Sequence, residues 1–217
     1  MRRARSRLAS WPVIVTISSF LVISCSASKD EEVALGAEQS QKVLPDAHAL
    51  PGWEVSVEPL VYTGEKAKEI GAIRCYGYNQ SSCDHVQFGG VSSFRASGTP
   101  QVDFFVMTYP DSATAKSAYK TVWKAWREEM MKPQPVDVSD LGDERDAIRS
   151  MSRSAKKGFE TRLAQVRVGS VIMLTAAETG PTVKAEDALL ADLATVFAKR
   201  VEQALGGDEP SAGSDGV

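Results

Sequence analysis

Histidine, cysteine and aromatic residues are scarce in this sequence of 217 residues. It contains two histidines, three cysteines and 7% aromatic residues. Few side chains can therefore act as a base near neutral pH or ligate a transition metal. The sequence also lacks the Gly-x-Ser-x-Gly, Walker and His-Glu-x-x-His motifs and a dinucleotide-binding fingerprint. We therefore predict a protein that is not an enzyme and that uses no cofactor and no metal.

A hydrophobic run long enough to span a bilayer is also missing. The predominantly apolar run extends from Trp11 to Ile23, about thirteen residues without a charge, whereas a transmembrane helix needs about 20 apolar residues. Four arginines precede this run, and a small residue, Ser24, follows it. A basic start, a short apolar stretch and a small residue are typical of a cleaved export signal. We predict that residues 1–24 are a signal peptide.

The residues at the predicted cleavage site, Val22-Ile23-Ser24-Cys25, resemble the lipobox of bacterial lipoproteins. The resemblance implies that Cys25 carries lipid, including palmitate, and holds the protein on the extracytoplasmic face of the cell membrane. The alternative is that Cys25 merely lies at the end of an apolar stretch. Residues 25–42 are small, polar and acidic, and they are predicted to be a flexible tether because they can bury little apolar surface.

Loss of the signal peptide makes the chain more acidic. The full sequence has a net charge of -3, and residues 1–24 remove four arginines and no acids, which leaves about -7. This charge argues against nucleic acid as a partner and against direct adhesion of the chain to anionic lipid headgroups. The membrane is the expected partner through the lipid, together with a small molecule, a lipid or an envelope protein that the sequence does not identify.

Two further cysteines, Cys75 and Cys83, remain once Cys25 is lipidated. An even number of cysteines in an oxidising compartment favours a disulfide. Closing this short loop is expected to stabilise the fold by roughly 2–3 kcal/mol. The alternative is a metal site completed by Asp84 and His85, which is a poor ligand set.

Residues 43–206 are predicted to form a single α+β domain, followed by a disordered tail at 207–217. Alternating apolar residues and turn signals predict strands, and apolar residues at helical spacing predict helices. One face of the sheet is expected to be exposed to water, and Gly89-Gly90 is expected to form a bulge. The predicted elements are a strand at 55–62 broken by Pro59, a short helix at 65–73, strands at 85–94 and 102–109, a helix from Asp111 to Met131, strands at 146–153, 159–168 and 171–177, and a helix from Thr182 to Gly206.

This order predicts an antiparallel sheet packed against two long amphipathic helices. It also resembles actinobacterial lipoproteins and the extracellular sensor domains of mycobacterial receptor serine/threonine kinases of the PknH type. The matching positions are Asp111, Ala113, Ala115, Arg167, Gly169, Ser170 and Val171. The resemblance implies an α+β fold with a sheet, a cleft and a binding role. Such domains often carry two disulfides, whereas only Cys75 and Cys83 are available here.

We therefore expect a non-enzymatic ligand-binding or sensing domain. Aromatic residues that could line its cleft are Trp53, Tyr76, Tyr78 and Trp123. One alternative is an envelope hydrolase that uses His85 and Asp84 with Ser81, Ser82 or Ser92. Another is a structural envelope protein without a ligand.

Overall fold

An antiparallel β-sheet organises the residues that the computed structural model describes, which are 34–70, 83–95, 100–128, 130–138, 140–152, 159–179 and 185–214. Residues Glu32–Val217 form one compact unit. Its helices are α1 (Ala37–Val43), α2 (Gly64–Ile70), α3 (Ser112–Arg127) and α4 (Asp187–Leu205). Its strands are β1 (Glu54–Thr63), β2 (Phe88–Arg95), β3 (Gln101–Thr108), β4 (Met130–Pro135), β5 (Glu144–Ser152), β6 (Thr161–Val168) and β7 (Val171–Glu178).

The strands follow the order β1-β2-β3-β7-β6-β5-β4, and every neighbouring pair is antiparallel. The predicted hairpin of β2 and β3 and the predicted meander of β5, β6 and β7 are confirmed. In the tight turn between β6 and β7, Gly169 has a φ of +51°, a conformation that glycine adopts without a steric penalty. The α+β class with an antiparallel sheet is therefore confirmed.

Helices cover both faces of the sheet. In β3, Phe104 belongs to the apolar cluster that contains Phe197 of α4, whereas Met107 belongs to the cluster that contains Tyr119 of α3. This division follows from the alternation of side chains along a strand. The expected water-exposed face of β6 is therefore wrong, because residues 161–167 are all buried between α3 and α4.

Helix α3 begins as predicted and ends earlier than predicted. The side chain of Asp111 accepts a hydrogen bond of 2.7 Å from the backbone N–H of Thr114, which caps the first turn. The helix stops at Arg127 instead of Met131, because Met130–Pro135 forms the edge strand β4. Proline is tolerated on an edge strand, where its missing N–H faces no partner.

Both edges of the sheet are irregular. The edge strand β1 continues through Pro59 with shifts of register between Val55 and Val57 and between Val57 and Leu60. The expected bulge at Gly89-Gly90 is wrong, because β2 pairs regularly with β3 there. Gly90 is instead a point of close approach, since a Cβ atom at this position would lie 2.6 Å from the carbonyl oxygen of Leu60.

The two ends of the domain pack together, unlike the expected tether at 25–42 and tail at 207–217. Helix α1 falls inside the first of these segments, and Leu35 just before it is buried. Within the second, Ser214 donates its N–H to the carbonyl of Ala49 at 2.8 Å. The buried guanidinium of Arg200 joins the two ends by donating to the carbonyls of Lys42 and Ala212 at 2.8 and 3.1 Å.

Helix α4 begins at Asp187, and the predicted cap at Thr182 lies outside the described residues. The helix buries Leu193, Phe197 and Val201 against the sheet. Among the described helices, none combines the length and the hydropathy that crossing a bilayer requires.

Candidate functional site

Exposed large apolar side chains are few among the described residues, and they lie at the two edges of the sheet. Leu60 on β1 is 43% exposed, and Met131 on β4 and Met151 on β5 are 45% and 43% exposed. Met131 and Met151 are direct cross-strand partners. Their side chains therefore lie next to each other on the same face and form one apolar patch.

This patch lies in a shallow cleft of about 270 Å³, which we call the methionine cleft. Its face of the sheet is the one that α4 covers, because Ala147, two residues before Arg149 in β5, packs against Leu190 and Ala194 of α4. Helix α4 begins at Asp187, next to the cleft. Met131 and Met151 are exposed on the part of this face beside the helix. The lining residues are Met131, Lys132, Gln134, Arg149, Ser150, Met151 and Glu160.

Charged side chains fix the wall of the methionine cleft. Arg149 donates to the side-chain oxygen of Gln134 at 3.3 Å and to the carboxylate of Asp187 at 3.2 Å. The buried Arg162 donates to the same carboxylate at 2.8 Å and to Glu160 at 3.3 Å. The wall therefore connects β4, β5 and β6 to the first turn of α4. Met131 and Met151 therefore lie beside fixed side chains of both charge signs.

The floor of the methionine cleft contains an irregular backbone. Between Met131 and Gln134 the register of β4 shifts against β5, and Lys132 has a φ of +50°. A residue other than glycine in this left-handed region stores strain, and such residues cluster at ligand-binding sites. The hydroxyl of Ser150 donates to the carbonyl oxygen of Met131 and so secures the shifted segment. The bulge keeps both Met131 and Gln134 on the face of the cleft.

A second, more polar cleft of about 460 Å³ lies between α1 and residues 207–210. Lys42 crosses it with ion pairs to Glu38 at 3.1 Å and to Glu209 at 3.2 Å. Hydrogen bonds to Glu38 and Glu209 raise the pKa of Lys42 above its usual value. The one lysine that lines this cleft is therefore engaged in ion pairs within the protein, and none of the exposed large apolar side chains lies there, which makes it a weaker candidate for ligand binding than the methionine cleft.

The aromatic residues expected to line a cleft are not brought together in the described structure. Trp53 is 7% exposed in the cluster under α4, and Trp123 is 9% exposed in the cluster under α3. The sheet separates these two side chains, so they cannot contact one ligand. Tyr76 and Tyr78 lie outside the described residues.

The residues of the alternative hydrolase site are also apart where the structure describes them. Asp84 and His85 are exposed in the segment before β2. Ser92 is fully buried, and its pairing with Phe104 places it on the face under α4. Its hydroxyl has no hydrogen-bond partner among the described residues. Ser92 therefore has neither an activating base nor access to solvent, and Ser81 and Ser82 lie outside the described residues.

The cysteine predictions fall largely outside the described residues, because Cys25 and Cys75 both lie there. Cys83 is buried in the cluster that contains Val86 and residues of α3. Its pairing with Cys75 stays a prediction. In the described part of the chain, no group of three or more histidine, cysteine, aspartate or glutamate residues could hold a metal ion.

The residues that carry the resemblance to sensor domains serve the fold. Arg167 is 5% exposed and donates to Glu144 at 2.6 Å, to Asp143 at 2.9 Å and to the carbonyl of Gly169 at 2.9 Å. These bonds hold the turn before β5 against the hairpin of β6 and β7. The motif around Arg167 therefore positions the strands, and none of its residues lines the methionine cleft.

Comparison with solved structures gives a structural likeness. The fold is similar to the crystal structure of the extracellular domain of PknH from Mycobacterium tuberculosis, with a TM-score of 0.46 and 12% sequence identity. The match covers 82% of this chain and 100% of that domain. No family profile and no curated protein matches the chain. The matching structure is the extracellular domain of PknH, the type of receptor whose extracellular domain the sequence resembles.

Proposed function

We propose that this protein is a lipoprotein anchored through Cys25 to the extracytoplasmic face of the cell membrane, with a non-enzymatic domain that binds a partner at the methionine cleft. The observation that carries the binding role is the exposed pair of Met131 and Met151. Exposed apolar side chains that adjoin each other beside fixed charges are typical of interaction sites. Lipid attachment is supported by the sequence at Val22–Cys25.

The methionine cleft lies near the edge of the sheet opposite the edge that adjoins the proposed anchor. A partner can therefore approach it from the side away from the anchor. The proposed anchor leads into α1, which packs on β1 and β2. Strand β4 is the opposite edge of the seven-stranded sheet, and six spacings of about 4.8 Å place it roughly 29 Å from β1. A partner can therefore reach the cleft without displacing the segment that leads to the lipid.

The chemistry of the methionine cleft favours recognition of an apolar group that carries polar or charged neighbours. Methionine is flexible and polarisable, so two adjacent methionines can adapt to different apolar shapes. Arg149 and Glu160 offer charges of both signs at the margin. A volume of about 270 Å³ suits a single side chain or a short acyl segment and is too small to enclose a large ligand.

The anchor is tested by replacing Cys25 with Ser and fractionating cells. We expect the wild-type protein in the membrane fraction with a lipid-modified N-terminal cysteine by mass spectrometry. The Cys25→Ser variant should be released from the membrane. Unchanged membrane retention of this variant, together with an unmodified wild-type N-terminus, would refute the anchor.

The binding role is tested with Met131→Glu/Met151→Glu and with Leu60→Glu as the matched control, because these side chains are equally exposed at opposite edges of the sheet. Thermal-shift measurements against envelope lipids and cell-wall fragments, and cross-linking in native membranes, should detect a ligand or partner for the wild type. The double variant should lose it, and Leu60→Glu should keep it.

Two results would contradict the binding role. Equal loss of the partner in both variants would place binding elsewhere. Failure of every ligand and every membrane extract to give a shift or a cross-link would favour a structural envelope protein without a ligand.

A further inference from the structure

Helix α3 carries a basic stripe, which we define as Lys116, Lys120, Lys124 and Arg127. Its sequence from Ser112 to Arg127 contains these four basic residues and no acid. All four are exposed. This concentration contrasts with the net charge of about -7 for the chain without its signal peptide. The local charge of α3 is therefore opposite to that of the protein as a whole.

Helix geometry gathers these four side chains on one flank of α3. At 100° per residue, they lie within an arc of about 80° and along about 16 Å of the helix axis. Lys124 lies 3.7 Å from the exposed carboxylate of Glu128. Within the described part of the chain, Lys116, Lys120 and Arg127 form no ion pair. Three of the four positive charges are therefore exposed without an ion-pair partner among the described residues.

We propose that the basic stripe rests on the anionic lipid surface of the membrane that holds the protein, an inference that depends on the proposed anchor at Cys25. Basic side chains near an anionic bilayer each strengthen association roughly fivefold. Four of them give only weak binding to a protein that is free in solution. They suffice for an anchored chain, because the lipid keeps the local concentration of the domain at the surface high.

The length of chain between the anchor and the domain permits this orientation. Helix α1 packs in the cluster under α4, so α1 and α3 lie on opposite faces of the sheet. Two layer spacings of about 10 Å each separate them. When α3 contacts lipid, these two spacings and the radius of α3, about 5 Å, place the axis of α1 about 25 Å above the surface. Residues 26–33 can extend to roughly 28 Å, which covers that distance.

The same orientation leaves the methionine cleft accessible. The cleft lies on the face of the sheet that α4 covers, as the contact between Arg149 and Asp187 shows. Contact of α3 with lipid therefore turns the cleft away from the membrane. An acidic protein partner would also fit the charge of the stripe, but the membrane is the anionic surface within reach of the anchored domain.

The test uses the lipidated protein reconstituted into vesicles of phosphatidylcholine alone or of equal parts phosphatidylcholine and phosphatidylglycerol. Co-flotation first measures the anchoring. The rate at which an amine reagent acylates each lysine is then measured by mass spectrometry. Lys199 is the internal control, because it is exposed on α4 at the opposite face.

We expect Lys116, Lys120 and Lys124 to react about fivefold more slowly on the anionic vesicles than on the neutral ones. Lys199 should react equally on both, and high salt should remove the difference because it screens the charges. The variant Lys116→Glu/Lys120→Glu/Lys124→Glu should still float with the vesicles. In that variant, Lys132 and Lys199 should react at the same rates on both kinds of vesicle.

Three outcomes would overturn the proposal. Equal reaction of the α3 lysines on both kinds of vesicle, with the protein floating normally, would overturn the lipid contact and leave the anchor intact. Protection only in native membranes that contain other proteins would assign the basic stripe to an acidic protein. Failure of the protein to float would overturn the anchor and, with it, this proposal.

Discussion

Replacement of Arg200 by Met should destabilise the protein severely, because this side chain joins both ends of the domain. Arg200 is 4% exposed and donates to the carbonyl oxygens of Lys42, Val43 and Ala212 at 2.8, 3.2 and 3.1 Å. Its guanidinium also lies 3.9 Å from the carboxylate of Asp46. Burial lowers the pKa of Arg200, while Asp46 opposes this effect.

The expected loss follows from these contacts. Each hydrogen bond from a charged donor contributes roughly 1.5–3 kcal/mol, and part of this is offset by the desolvation of the guanidinium. Arg200→Met fills a similar volume but leaves three carbonyl oxygens without their donor. We therefore expect a decrease of about 3–5 kcal/mol in the free energy of unfolding. In a domain of this size that corresponds to a decrease of roughly 10 °C in Tm.

Urea unfolding and calorimetry measure the loss, with Lys199→Met as the control because Lys199 is exposed on the same helix. Hydrogen exchange should also become faster in α1 and in residues 208–214 than in β6 and β7. If Arg200→Met unfolds within about 1 kcal/mol of the wild type, the three hydrogen bonds do not hold the ends together. Equal destabilisation by Lys199→Met would assign the effect to α4 as a whole.

Two further substitutions test the turns. Gly142→Ala should cost more stability than Gly207→Ala in urea unfolding: both glycines have positive φ, but only at Gly142 would a Cβ atom lie 2.4 Å from the carbonyl oxygen of Arg167. Gly207→Ala should lower the free energy of unfolding by about 1–2 kcal/mol from backbone strain alone. An equal loss for Gly142→Ala and Gly207→Ala would refute the clash at Gly142. Asp111→Ala should lower Tm at neutral pH, because the hydrogen bonds from Thr114 hold the pKa of Asp111 below its usual value. That stabilisation is present above the usual pKa of the carboxylate and is lost as the pH falls through the lowered one, so melting curves at a series of pH values should converge in acid; a constant difference would contradict this role.

The strands other than β4, and the helices α3 and α4, could be predicted because their signals are local. Alternating apolar residues in β3, a continuous apolar run in β7 and the turn at Gly169-Ser170 indicate hairpins without knowledge of the rest of the chain. The exposure of β6 could not be predicted in the same way. It depends on whether a helix covers the second face. The burial of Arg162 is expected because this residue breaks the alternation in β6, whereas Arg167 is buried beside Glu144, an acidic partner from a distant position.

The contacts at the ends of the domain could not be predicted for a related reason. Residues 208–214 have the composition of a disordered segment, yet Gln203 accepts hydrogen bonds from the N–H groups of Ser211 and Ala212 at 2.9 and 3.1 Å. These contacts join a polar side chain of α4 to a segment that lacks any hydrophobic periodicity. Composition measures how much apolar surface a segment can bury, and it does not register hydrogen bonds to a folded neighbour.

The methionine cleft was missed because its two central residues come from different strands. The sequence pattern assigns Met131 to the last turn of a helix and Met151 to a strand. Their proximity depends on the pairing of β4 with β5, which the two prolines in β4 conceal from pattern analysis. The one available signal was the placement of two methionines before Lys132-Pro133, since apolar residues beside proline are compatible with an exposed edge strand.

The prolines at the sheet edges also determine how copies of this protein can meet. An anchored protein diffuses in two dimensions, where neighbours collide often and an open strand edge would invite polymerisation. Both edge strands lack backbone donors at their prolines, which are Pro59 in β1 and Pro133 and Pro135 in β4. The side chain of Gln41 also donates a hydrogen bond of 2.9 Å to the carbonyl oxygen of Pro59. Continuous strand-to-strand growth is therefore interrupted at either edge. Under the proposed binding role, a partner would therefore contact side chains such as Met131 and Met151 instead of extending the sheet.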